Sequence, residues 1–175
     1  SLRKNFFFAD NTDGFGLLRD LHRQGFSEKS ANILIIGAGG AVRGILPMFL
    51  ENNPNKVIVV NRSEYNLQLL SKIFENDFFE YLNINDFNKK FSKYDEGQVG
   101  FEKFDLIINA TSASISDHRL EIPRKVFLKC PLVVDLFYSL NPTPFLNLAL
   151  SSGAKKAIDG LGMLVEQAAE SFYIW

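Results

Sequence analysis

Four short apolar runs constrain this 175-residue chain most: ILII (33–36), VIVV (57–60), LIIN (106–109) and LVVD (132–135). Each is apolar at consecutive positions, so both faces of a strand would need covering, the pattern of a parallel sheet enclosed between helix layers. Stretches with helical periodicity lie at 14–24, 39–52, 64–75, 143–151 and 160–175. Strands are predicted over 33–36, 57–60, 78–82, 105–109, 132–136 and 155–158. Strand and helix in alternation predict an α/β fold, a Rossmann-like doubly wound parallel sheet of about six strands with helices on both faces. With 46% hydrophobic residues, one domain over 1–175 is expected. The polar, charged segment 83–103 carries Gly97 and Gly100 and reads as a helix fragment plus loop outside the core, the most mobile part of the chain.

Charge narrows the partners. Lys and Arg number 19 against 20 Asp and Glu, so no net field draws the chain to nucleic acid or an anionic membrane, and neither is an expected partner. The single cysteine, Cys130, excludes an intrachain disulfide and a multi-cysteine zinc site, fits a reducing, cytoplasmic setting, and reads as an inert core thiol. His22 and His118 have no neighbours in the pattern of a metal site or catalytic triad, and no metal is expected. No apolar run reaches the ~18 residues of a membrane span and the first residues do not follow a basic-then-apolar pattern, so neither a span nor a leader is expected from these residues.

The strongest local signal is ILIIGAGGAVRG, residues 33–44: a buried strand, a glycine turn and a helix start. That context is what a dinucleotide fingerprint requires. Gly37 would make the tight turn, Gly39 and Gly40 would admit a pyrophosphate, and the helix start with Ala38 and Ala41 would aim N–H groups and a positive dipole at it. The third fingerprint position is Val42, a bulkier residue than the usual Gly or Ala. The second strand ends in Asn61-Arg62-Ser63. NAD-binding sites place an acid at this position; a guanidinium instead suits a 2′-phosphate, which favours NADP. Read alone, Asp13 in DNTDG is a helix N-cap, and the glycines of IDGLGM (158–163) are packing plus a turn.

Taken in order, GAGGAVRG (37–44), Asn61-Arg62-Ser63, NATS (109–112), Asp135 to Tyr138 and DGLGMLVEQA (159–168) resemble the C-terminal, NADP-binding part of shikimate dehydrogenases, from about Asn11 onward. The resemblance implies an NADP-dependent oxidoreductase interconverting 3-dehydroshikimate and shikimate in aromatic amino-acid biosynthesis. It implies Asp13 as catalytic residue, with Asn11, Asp13, Tyr138 and Gln167 on the substrate. It places Gly37, Ala38, Gly39, Gly40, Ala41, Asn61, Arg62, Ser63, Asn109, Ala110, Thr111, Leu136, Gly160 and Met163 at the cofactor. The family's second basic residue after the Asn-Arg pair is absent, with Asn66 near that position. The lysine that partners the aspartate lies in a separate N-terminal domain of the family and has no counterpart here.

Residues 1–12 are accordingly expected to be a remnant of the junction to a missing substrate domain, and the chain alone is expected to be poorly active. Self-association through an exposed apolar cleft lip, including Phe6 to Phe8 and Phe172 to Trp175, is a further expectation. Two alternatives stay open: a quinate/shikimate dehydrogenase paralogue, and a non-catalytic nucleotide-binding or interaction module.

Overall fold

The computed structural model describes residues 2–3, 6–7, 10–93, 102–112 and 121–175. The strands β3 (Asn32–Ile36), β4 (Lys56–Asn61), β5 (Phe79–Asn83), β6 (Leu106–Asn109), β7 (Leu132–Asp135) and β8 (Ala157–Asp159) form one six-stranded sheet in the order β5-β4-β3-β6-β7-β8. Every pairing in it is parallel. The chain winds outward from β3 to one edge, returns, and winds from β6 to the other. A topological switch point therefore lies between β3 and β6, where open α/β sheets bind ligands beyond the strands' carboxyl ends. The N-terminal strands β1 (Leu2–Arg3) and β2 (Phe6–Phe7) pair with each other, antiparallel, in a separate two-stranded sheet.

The apolar runs behave as their composition requires. Alternate residues face opposite sides. Ile33, Ile35, Val57, Val59, Ile108 and Val134 meet helices α1 (Asp13–Arg23), α2 (Gly40–Leu50), α3 (Glu64–Ile73) and α6 (Leu161–Ile174). Leu34, Ile36, Ile58, Val60, Ile107 and Val133 meet α4 (Ile84–Ser92), a 3-10 turn at Arg124–Phe127 and α5 (Pro144–Ser151). The fold is thus the expected Rossmann-like α/β sandwich, with helix layers on both faces.

One expectation is corrected. The segment after β5 contributes to the core: Phe87 and Phe91 of α4 are buried, stack at 4.4 Å between ring centroids, and meet buried Phe104. Burying each such ring is worth roughly 1.5–3 kcal/mol. The polar average of this stretch conceals an apolar stripe spaced i, i+4, with Asp86 and Lys89 on the solvent side. Residues 94–101, which include most of the loop expected to be mobile, and His118 lie outside the described residues.

Helices α1 and α6 run antiparallel in close contact. Thr12 Oγ1 and Ser171 Oγ lie 3.0 Å apart, and Gly16 abuts the backbone of Met163 and Gln167. Gly162 abuts the Asp20 carboxylate. Outside this seam Arg19 pairs with Glu170 at 2.7 Å, and Arg23 with Asp20 at 2.8 Å and Glu166 at 3.1 Å. Among the described residues no helix is long and apolar enough to cross a membrane.

Candidate functional site

The carboxyl ends of the central strands build the site from backbone outward. Gly37 follows β3 with φ of 118°, a region that L side chains rarely adopt. A Cβ there would also stand 2.9 Å from the Ala110 carbonyl oxygen at the end of β6. Only glycine lets the two strand ends approach across the switch point. The Gly37 N–H donates to the Val60 carbonyl at 2.8 Å, and the Ala110 N–H donates to the Ile36 carbonyl at 2.8 Å, so the turn is rooted in the sheet.

Beyond this turn the surface opens. Gly39 and Gly40 are exposed, and no atom lies within 4 Å of a Cβ built on either. Gly39 is the N-cap of α2 and supplies no side-chain cap, leaving the first-turn N–H groups to an outside acceptor. The cradle therefore fits an anionic group, held by backbone donors and the helix dipole. Ala38 is buried behind it and Ala41 is half-buried. Val42 is fully buried in the core, so its bulk turns away from the open space above the turn.

At the end of β4, Asn61 Nδ2 donates to the Ser63 carbonyl at 3.1 Å, folding Asn61-Arg62-Ser63 into a turn before α3. Arg62 and Ser63 are exposed, and the Ser63 side chain makes no cap bond to α3. Next to this turn, Asn83 at the end of β5 donates through Nδ2 to the Arg62 carbonyl at 3.2 Å. Sequence reasoning passed over Asn83. The available signal was an Asn between a strand and a helix, and its Oδ1 does accept the Asn85 N–H at 3.0 Å as the α4 N-cap.

At the ends of β6 and β7 sits a buried polar network. Asn109 Nδ2 donates to Asp135 Oδ1 at 3.0 Å, and both residues are wholly buried. Asn109 Oδ1 accepts the Thr111 N–H at 3.1 Å and the Thr111 hydroxyl at 2.7 Å. Asp135 also accepts the Thr143 hydroxyl at 2.6 Å and the Phe137 N–H at 3.3 Å. Asn109 therefore reaches the site through Thr111, which its side chain orients, while Ala110 and Thr111 are half-buried on the site's floor. Thr143 was read only as the start of a helix; it caps α5 and holds the buried carboxylate together.

Asn11 and Asp13 lie at the head of α1, and Met163 and Gln167 on α6, which packs against α1 at Gly16. The Asp13 N–H donates to Asn11 Oδ1 at 2.8 Å, so Asn11 supplies the turn-stabilising oxygen and Asp13 is the first residue of α1, its N-cap being Thr12. The simple N-cap reading of Asp13 is thereby corrected. A Cβ at Gly44 would lie 2.9 Å from Asn11 Nδ2 and 3.0 Å from Asp13 Oδ2, which sets both side chains against α2. Gln167 begins beside Gly16, one helical turn along, with Met163 buried a turn before it. Gly160 is the α6 N-cap, and a side chain there would collide with the Leu136 carbonyl, so Leu136 and the start of α6 are joined backbone to backbone. Tyr138, half exposed, stacks on Phe137 at 6.2 Å.

Two residues read as inert have defined partners. His22 Nε2 lies 2.8 Å from Glu28 Oε2. Cys130 Sγ lies 3.3 Å from the Leu132 carbonyl, and burial pushes its thiol up to about 12. Among the described residues no group of three His, Cys, Asp or Glu side chains can hold a metal ion.

Comparison with known proteins agrees with this architecture. The family described as shikimate / quinate 5-dehydrogenase matches residues 20–122, and the shikimate 5'-dehydrogenase C-terminal domain matches residues 160–175. The shikimate dehydrogenase (NADP(+)) of Dechloromonas aromatica is 43% identical over 169 residues, covering 96% of this chain and 58% of its own length. Among solved structures, an Ael1 enzyme from Pseudomonas putida has a TM-score of 0.83 at 37% identity, over 95% of this chain and 58% of that one. Shikimate 5-dehydrogenase from Thermus thermophilus, solved with NADP(H) and shikimate, has a TM-score of 0.76 at 28% identity, over 99% and 59% of the two chains. The chain thus spans a little under three fifths of the relatives it matches. The glycine turn at the switch point, the Asn61-Arg62-Ser63 turn beside it and the family match over most of the sheet carry one conclusion: this chain belongs to the shikimate / quinate 5-dehydrogenase family.

Proposed function

We propose that the chain is the NADP(H)-binding part of a shikimate dehydrogenase, which interconverts 3-dehydroshikimate and shikimate. The observation that carries this reading is the open cradle over Gly39 and Gly40 at the switch point, with Arg62 at the neighbouring strand end. The α2 first-turn N–H groups with Gly37 to Ala41 would hold the pyrophosphate, and Asn61, Arg62 and Ser63 the 2′-phosphate. Ala110, Thr111, Leu136, Gly160 and Met163 would line the path toward the nicotinamide, with Asn109 fixing Thr111. When bound, the dinucleotide supplies or accepts the hydride.

The chain's own contribution to chemistry centres on Asp13. Its carboxylate would accept a hydrogen bond from the substrate hydroxyl and stabilise an ammonium partner that moves the carbonyl proton. Asn11, Gln167 and Tyr138 would orient the substrate. That ammonium belongs to the family's other domain, with residues 1–12 as the junction, so this chain alone would bind nucleotide and catalyse poorly; losing one acid/base partner forfeits roughly 10²- to 10⁴-fold. A cytoplasmic setting, suited to the lone thiol of Cys130, completes the reading. So does self-association over the exposed Phe172, Tyr173 and Trp175, which sedimentation at high concentration would detect.

Calorimetric titration with NADPH and NADH tests the cofactor assignment. The expected result is NADPH binding weakened at least about tenfold by Arg62→Ala, with NADH unchanged, as loss of a charge-assisted phosphate contact predicts. Binding of neither nucleotide, or NADPH affinity indifferent to Arg62, would sink the proposal.

A further inference from the structure

We propose that Asn83 is a positioning residue for cofactor selectivity: from the end of β5 its side-chain amide holds the backbone of Arg62 where the guanidinium meets the nucleotide's 2′-phosphate. The inference rests on the NADP(H) reading above and goes beyond it, since Asn83 lies outside the glycine turn and outside Asn61-Arg62-Ser63.

Strand register places Asn61 and Asn83 side by side at the carboxyl ends of β4 and β5. The two ends of the Asn83 amide serve different elements. Nδ2 donates to the Arg62 carbonyl at 3.2 Å, while Oδ1 accepts the Asn85 N–H at 3.0 Å at the head of α4. These partners fix which end is oxygen and which nitrogen, since one is a carbonyl and the other an N–H. Together with the Asn61 bond to the Ser63 carbonyl at 3.1 Å, the turn is tethered at two successive carbonyls. The Arg62 side chain is exposed, long and flexible, so its root is the part the fold can hold still. The sequence holds no other Lys or Arg between Arg62 and Lys72, so discrimination by the phosphate falls on Arg62, and the geometry of its backbone matters correspondingly more.

Two substitutions separate this role from helix capping. Asn83→Ser keeps an oxygen able to cap α4 and removes the amide that reaches Arg62; Asn83→Ala removes both. Calorimetry with NADPH and NADH, paired with thermal melts, reads the outcome. Asn83→Ser is expected to weaken NADPH binding about 3- to 10-fold, the scale of one hydrogen bond, with NADH affinity and melting temperature unchanged. Asn83→Ala should show the same loss of preference together with a lower melt. Combined with Arg62→Ala, Asn83→Ser should have no further effect on NADPH. Equal loss of both nucleotides, or no change in the preference while Arg62→Ala abolishes it, would show Asn83 to be a cap alone and overturn the inference. A wild-type chain with no preference for NADPH would overturn it together with the cofactor reading, a failure visible before any variant is measured.

Discussion

Replacing Gly16 by alanine sets local propensity against tertiary packing, and the structure decides the sign. In a helix interior alanine is favoured over glycine by about 1 kcal/mol, so α1 by itself would gain. Against the fold, the new Cβ would stand 2.7 Å from the Gln167 backbone nitrogen and 2.8 Å from the Met163 carbonyl oxygen. Non-bonded heavy atoms settle near ~3.5 Å, so α6 would have to retreat by about 0.7 Å. Both obstacles are backbone, and no side-chain rotation relieves them. Retreat would also stretch the Thr12–Ser171 contact. Overpacking of this kind costs about 1–3 kcal/mol, and blocking by an entire helix argues for the upper end. The net loss is about 2 kcal/mol, which for a domain of this length lowers the melting temperature by about 4–8 °C. Circular dichroism melts and urea titrations of wild type and Gly16→Ala measure it directly. An equal or higher melting temperature would show that α1 and α6 part without cost, and the close-seam argument would be wrong.

Gly40→Ala is expected to behave oppositely: with no atom within 4 Å of the new Cβ, stability should hold, while nucleotide affinity measured by calorimetry drops about tenfold as the methyl enters the cradle. Thr143→Val removes the 2.6 Å hydroxyl donor from buried Asp135 and the cap of α5, and should cost about 2–4 kcal/mol in urea unfolding. Burial works to raise the Glu102 carboxyl, but the Lys56 hydrogen bond and the charges of Lys90 and Lys56 outweigh it and hold the group below its ordinary 4.5. The unfolded chain then binds that proton more readily, so Glu102 stabilises the fold above 4.5 and loses this effect as pH falls through its lowered value. Glu102→Gln should therefore be less stable than wild type at neutral pH, the gap closing in acid; a pH-independent difference in denaturation midpoints would contradict the assignment.

Much of the scaffold was legible in the chain because its signals are local. Runs such as VIVV admit few homes other than a strand covered on both faces, and β4 formed at Lys56–Asn61 around that run. Gly37 was marked by its place between an apolar run and a helix start, and it indeed adopts a φ that L residues avoid. The segment after β5 was misjudged because composition averages over a helix, whereas burial follows one stripe of it; Phe87 and Phe91 are two residues among polar neighbours. Asn83 and Thr143 were overlooked for a related reason. Each looks like an ordinary helix cap, and nothing adjacent in sequence discloses the second bond that each makes to another element.

What the sequence by itself determined is the six strands of the large sheet, five of its helices, the glycine turn and the cation after β4, since periodicity and turn chemistry depend on near neighbours. Only the tertiary structure decided which polar side chains meet. Asn109 and Asp135 pair across 26 residues, Arg62 is tethered by Asn83 across 21, and Thr12 meets Ser171 across 159. Such pairings depend on strand order, register and how closely helices approach. These are set by the packing of the whole sheet, where parallel strands bring distant carboxyl ends to one edge and glycines let α1 and α6 close upon each other.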